Sequence, residues 1–385
     1  MDIDYLAEAR HLSGELAALR REFHREPELG NHEFKTAARI EHYLHEFGIS
    51  TERILETAVV GRLKGAFPGP SLALRADMDA LPIQEDTGVS FASQTPGVMH
   101  ACGHDVHVTA LLGAAHILAA HCGELAGTIL FFFQPDEEGS GGARRMIESG
   151  VLEDVSAVFG AHVTPELPAG HIGVRYGKFY AASDTFQITV TGKSSHGAER
   201  EKGIDALAAG SEMVGKLLEL QYRSLEKNVI TVGTFHAGTA GNIVADHAEL
   251  TGIIRTLGPE ARRQMRERVL ATVRETANNF GAQAQCNLHE SYPGVINEDS
   301  MTQLVEEAAR TVLGVGQVHR IEEPLMMTED FGYFLQERPG AFYHIGAGCS
   351  LPLHNPGFLP DEEAVVTAAA VHAAVAVKGI SAFAR

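Results

Sequence analysis

The chain has 385 residues, 44% of them hydrophobic and 21% charged, an ordinary globular composition over a length that suggests two domains. It carries 31 Lys and Arg against 50 Asp and Glu, a formal net charge of −19. Such a surface would repel a phosphate backbone and an anionic bilayer, so neither nucleic acid nor a membrane is an expected partner. Leu6, Leu12, Leu16, Leu19 and Phe23 recur at near-helical spacing and predict a helix over residues 5–26, ended by Pro27. A second helix is predicted over 34–47, with Gly48 as its C-cap signal. Residues 72–77 (Leu-Ala-Leu-Arg-Ala-Asp) form a short apolar run that breaks into polar residues, as a buried strand ending at a site would. An Ala-rich helix over 107–120, a strand over 128–133, a helix over 142–149 and a strand over 155–162 follow. This alternation predicts an α/β fold with a mainly parallel sheet.

The texture changes after about Gly177. Strands are predicted over 185–191, 228–235, 248–255 and 284–288, and helices over 204–220 and 260–280. That order, β-α-β-β-α-β, is a ferredoxin-like split unit. After Pro293 a helix over 301–313, a strand over 341–345 and an Ala/Val-rich helix over 365–377 restore the first style. The expected organisation is one discontinuous α/β domain, 1–180 and 293–385, interrupted by an inserted α+β domain, 181–292.

Cys102, Cys122, Cys286 and Cys349 form no CxxC pair and are too few for a disulfide scaffold or a zinc ribbon. The acidic start, MDIDYLAEAR, is unlike a secretory signal, and no apolar run approaches 18 residues, the longest being 128–133. A soluble cytoplasmic protein with reduced cysteines is therefore expected. Twenty histidines and no tryptophan are the remaining oddities, and histidine is the commonest metal ligand.

Position separates the informative histidines from the rest. Polar, metal-capable side chains follow each strand-like run: Arg75-Ala-Asp77-Met-Asp79 after the first, Gln134-Pro-Asp136-Glu137-Glu138 after the second and His162 after the third. In open α/β sheets the ligand site lies beyond the carboxyl ends of the strands, so these fragments can converge. Between the first two lies His100-Ala-Cys102-Gly-His104-Asp105-Val-His107, and near the C-terminus Leu353-His354-Asn-Pro356. Adjacent carboxylates at a buried strand end repel unless a cation or proton compensates. Thiolate, imidazole and carboxylate together suit a transition metal such as zinc.

In the motifs at 75–82, 100–107, 134–139 and 353–356, taken in order over nearly the whole chain, the sequence resembles the di-metal amidohydrolases. That family includes hippurate hydrolase, aminoacylase-like deacetylases and plant indoleacetyl-amino-acid hydrolases, and is related more distantly to carboxypeptidases of the G type. The resemblance implies two divalent metal ions per subunit, zinc foremost, with manganese, cobalt and nickel open. Cys102 would lie between them, with His104 and His162 completing one metal and Glu138 and His354 the other. Glu137 would be the general base, and Asp77 would orient a ligand histidine. Arg75 stands where the carboxypeptidase branch has a ligand histidine, and His100, Asp105 and His107 are read as structural. In the inserted domain, His196 of Gly192-Lys-Ser-Ser-His-Gly would hold the oxyanion, although Glu199-Arg-Glu-Lys202 follows where the family has further His and Pro. Asn242 and Arg255 would contact the substrate carboxylate. Thr328-Glu-Asp-Phe331 resembles a family segment near the site and is assigned no role.

The expected activity is metal-dependent hydrolysis of the amide bond of a small N-acyl amino acid, a linear amide other than a peptide, by a metal-activated water. A dipeptidase or exopeptidase with the same centre is the nearest alternative; a catalytically dead binding protein and a mononuclear structural clamp are the others. A homodimer or higher homo-oligomer, associating through the inserted domain as a lid or dimerisation element, is a further implication of the resemblance.

Overall fold

The structure is a computed structural model that describes residues 3–224 and 226–384. It divides into two compact units. The larger comprises 1–177, 296–322 and 330–385; the smaller comprises 178–295 together with 323–329.

The larger unit is built on an eight-stranded sheet. Its centre is parallel: strand Phe67–Asp77 lies between Ala126–Gln134 and Val155–Thr164, and Gly340–Gly346 follows parallel to the last. The Phe-Phe-Phe run at 131–133 is wholly buried, as expected of a strand covered on both faces. Antiparallel strands Ser50–Ile54 and Ala58–Lys64 extend one edge. The short strands Ile172–Val174 and Val318–Arg320 extend the other. The Ala-rich helices His104–Ala120 and Glu363–Phe383 pack against Phe67–Asp77 and against each other. Their small side chains let apolar surface be buried almost all round both helices.

Two expectations change here. The N-terminal pattern predicts one helix, but it is broken into Tyr5–His11 and Ser13–Arg25 at Leu12, just before Ser13 and Gly14, both poor helix formers. The 128–133 run is also not the longest apolar element. Helix Glu363–Phe383 has the length and composition to cross a membrane, although 83% of its most apolar window is buried inside the unit, which makes it a core helix. His372 and Lys378 divide that run in the sequence.

The smaller unit has a four-stranded antiparallel sheet in the order Asn228–Ala237, His247–Thr256, Ala182–Thr191, Gln283–Glu290. Two strands first in sequence are thus separated by a third, which is the split unit expected. Helices Ala206–Glu219 and Pro259–Asn279 cover one face through Ile188, Leu250, Ile254, Met213 and Val269. The alternate residues Thr185, Gln187, Thr251 and Arg255 belong to the other face, as the two-residue period of a strand requires.

Candidate metal centre

The centre lies in the larger unit, at the carboxyl ends of its parallel strands. Asp77 closes the first strand in register with Gln134, which closes the second. His162 lies near the end of the third. Past Gln134 the chain turns sharply at Asp136, whose φ is +57°, and presents Glu137 and Glu138. Cys102 and His104 flank Gly103, which has a φ of +83° just before the long helix begins. A Cβ there would fall 2.5 Å from Val163 Cγ2, so glycine is required both by conformation and by space. His354, also left-handed, is fixed by its amide on Ala101 O at 2.9 Å.

Two sets of three donor atoms each lie within 4.8 Å of one another: Cys102, His104 and His162, and Cys102, Glu138 and His354. Cys102 is common to both. Its Sγ is 3.3 Å from His162 Nε2, and Glu138 Oε1 is 3.0 Å from His354 Nε2. His162 Nδ1 donates to Val163 O at 2.7 Å, which leaves Nε2 as the lone-pair nitrogen facing the thiol. A further set joins His104 with Glu137 and Glu138.

The surrounding groups order these donors. His107 Nδ1 donates to Asp77 Oδ1 at 2.5 Å, and His107 Nε2 accepts from the Val163 amide at 2.9 Å, so the ring is neutral. Asp77 Oδ1 is 3.8 Å from His104 Nε2, while Asp79 Oδ1 is closer to that ring, 3.3 Å from Nδ1. Arg75 bonds Asp77 at 2.6 Å, Gln134 at 2.9 Å and Asp330 at 2.9 Å, and Asp330 also accepts from Gln134 and the Ala143 amide. Asp330, given no role by the sequence, thus anchors the arginine. On the far side, Asp105 accepts from Arg20 at 2.8 Å and bonds His24 at 2.9 Å, and His24 also bonds Glu85 at 3.1 Å.

The electrostatics favour a cation. Burial alone would lower the pKa of His104, yet the carboxylates Asp77, Asp79 and Glu138 push it up to about 10. Burial would raise Asp77, but His104, Arg75 and His107 hold it well below the usual carboxylate range. Cys102 is raised well above an ordinary thiol by burial and by the negative charges of Glu138 and Glu137. His104 Nε2 is buried without a hydrogen-bond partner, Nδ1 has only Asp79 Oδ1 at 3.3 Å, and Glu138 Oε1 meets only His354 Nε2, a second candidate donor, at 3.0 Å. Buried polar atoms are rarely left so. Divalent cations would take a ring nitrogen of His104 and the Glu138 carboxylate and would also hold the thiol as thiolate. The donor set therefore fits metal.

The remaining expected residues lie in the smaller unit. His196 is in the short strand Ser195–His196, paired with Ile243–Val244, and Asn242 immediately precedes that partner strand. Both side chains are exposed. His196 Nδ1 accepts from the Ala198 amide at 3.2 Å, so the ring proton is on Nε2. Arg255 is half-buried, and its Nη1 is buried without a hydrogen-bond partner.

Fold and donor set together define a metallohydrolase. The pattern of the peptidase family M20/M25/M40 matches residues 73–378, and the chain belongs to that family. It is 39% identical to an N-acetylcysteine deacetylase of Bacillus subtilis over 94% of this chain and 96% of that protein. It is 36% identical to thermostable carboxypeptidase 1 of Saccharolobus solfataricus over 96% and 97%. A crystal structure of a dinuclear metal-binding peptidase from this family in Bacillus subtilis is 36% identical and superposes with a TM-score of 0.88, covering 97% of this chain and 99% of that one.

Proposed function

We propose that the chain hydrolyses the amide bond of N-acyl amino acids. The observation that carries this reading is a thiol shared by two donor sets, with the buried carboxylate of Glu137 beside them. Cys102 would serve two divalent cations, His104 and His162 one of them, Glu138 and His354 the other. When bound, the pair would supply Lewis-acid activation of a water and of the scissile carbonyl. Zinc suits the mixed thiolate and imidazole donors best, cobalt and nickel also accept imidazole, and manganese would lean on the carboxylate.

The side chains do the rest. Glu137 takes the proton of the attacking water and returns it to the departing nitrogen. Asp77 fixes the His107 ring with its proton on Nδ1, burial keeping that ring neutral, and adds negative charge beside His104. His196, protonated at Nε2, donates to the oxygen on which charge develops. Arg255, with an unpartnered buried nitrogen, takes the substrate carboxylate, helped by Asn242. The smaller unit is an inserted lid and dimerisation element in this reading, and such elements commonly exclude water. A homodimer or higher homo-oligomer in the cytoplasm is the assembly that accompanies it.

A C-terminal peptide residue is itself an N-acylated amino acid with a free carboxylate. The deacetylase and carboxypeptidase relatives therefore share one bond type and differ in the acyl side. Metal-reconstituted enzyme assayed with acetyl- and benzoyl-amino acids and with free dipeptides tests the choice. The proposal predicts higher kcat/KM for the N-acyl amino acids, and faster cleavage of the dipeptides would transfer the assignment to an exopeptidase.

A further inference from the structure

The turn carrying Glu137 and Glu138 is held from outside by carboxylates distant in sequence. The Asp136 amide donates to Glu33 Oε1 at 3.0 Å, the Glu137 amide to Asp79 Oδ1 at 3.1 Å and the Glu138 amide to Asp79 Oδ2 at 3.0 Å. Three consecutive backbone N–H groups thus end on two buried side chains. The Asp136 carboxylate closes the other side of the turn by accepting from the Ser140 amide, the Ser140 hydroxyl and Arg145. Space around the turn is so tight that a Cβ at Gly30 or Gly139 would fall 2.3 or 2.2 Å from Asp136 Oδ1. Asp79 does more than hold the turn, because its Oδ1 also lies 3.3 Å from His104 Nδ1.

We infer that Asp79 is a positioning residue that sets the base Glu137, the donor Glu138 and the donor His104 in one frame. This rests on the functional reading above. A carboxylate spanning two adjacent amides fixes the direction in which two successive side chains leave the backbone. Successive side chains of an extended strand point to opposite sides, but the left-handed residue at Asp136 breaks that alternation, so something else must set their direction. The two oxygens of Asp79 do so. Burial of the contact makes a misfit costly, since an amide losing its acceptor there finds no water.

Asp79→Asn is isosteric, but it turns an NH2 group toward one backbone N–H, so one of the two amides must move. Asp79→Glu keeps the charge but pushes it one methylene further into a tight turn. In the full-length chain loaded with zinc, both variants are expected to lower kcat by about 10- to 100-fold with KM within about twofold. Both should also weaken zinc binding by a similar factor in competition with a chromophoric chelator, the range usual when groups supporting metal ligands are changed. Near-UV circular dichroism would establish that each variant is folded. Asp79→Asn with unaltered kcat and zinc affinity would overturn the inference. So would restoration of both by Asp79→Glu, since then only buried charge would matter. Should Asp79→Asn not fold, the zinc affinity of a folded Asp79→Glu decides: weakened supports the inference, unchanged overturns it. If wild type cleaves no N-acyl amino acid, the functional reading falls, and the zinc measurement alone judges Asp79.

Discussion

The two units carry their functional side chains in opposite ways. In the larger unit Asp77, Cys102, His104, Glu137 and His162 are buried, Glu138 is partly buried and His354 is exposed, and carboxylates, arginines and backbone groups hold most of that network in place. In the smaller unit His196 and Asn242 are exposed and Arg255 is half-buried, and the His196 ring accepts from the Ala198 amide. Donors for a cation must be desolvated and pre-set, because a misplaced ligand costs affinity directly. Groups that meet a substrate must stay accessible until it arrives. Loss of a metal donor in the larger unit should therefore remove metal and chemistry together, and damage to the smaller should leave the metal content untouched.

The largest effect should come from Cys102→Ala. A shared donor serves both sets, so elemental analysis should show both metal ions lost or greatly depleted and hydrolysis reduced to background; full occupancy with ordinary turnover would end the idea of a shared thiolate. Next is His196→Ala. Loss of one donor to a developing oxyanion usually costs about 10²–10³ in kcat, and metal content should not change; a fall in metal content would break the division between the units. Arg255→Ala should act on substrate capture. Hydrogen bonds to charged groups contribute about 1.5–3 kcal/mol, so KM should rise by roughly 10- to 100-fold with little change in kcat. An unaltered KM would remove Arg255 from the site.

The smallest effect concerns stability. Burial lowers the pKa of His24, but its bonds to Asp105 and Glu85 more than offset this and raise it from 6.5 to about 9. A raised histidine stabilises the fold fully below its unfolded pKa and loses that contribution as pH climbs through the folded one. The shift corresponds to about 3 kcal/mol. Urea unfolding of the metal-free protein should show this contribution fading between pH 6.5 and 9, and His24→Gln should flatten that part of the profile. An equally steep profile in the variant would show that the charge on His24 is not the cause.

Much of the centre was legible in the sequence because its residues follow strand-like runs whose ends converge in any parallel sheet. Glu138 and His162 stood out on that ground, and the family resemblance added Cys102, His104 and His354. Asp79 sat in the same motif as Asp77 and still showed no role. Its partners are backbone amides 58 and 59 residues away, and a backbone amide has no sequence signature. Arg75 looked like a missing ligand; only the fold shows it tied to Asp77, Gln134 and Asp330. The strands Ile172–Val174 and Val318–Arg320 span three residues each, too few for a period to emerge, and the edge strand Ser50–Ile54 and its neighbour Ala58–Lys64 also passed unseen. The helix break at Leu12 was hidden because the apolar period continues through it.

The central claim is that Glu137 moves the proton while the cluster beside it holds the metal. Glu137→Gln keeps the shape and removes the base. Its kcat on an acetyl- or benzoyl-amino acid should be about 10²–10⁴-fold below wild type, with the same metal content per chain measured on the same sample. Wild-type turnover at that metal content would contradict the account.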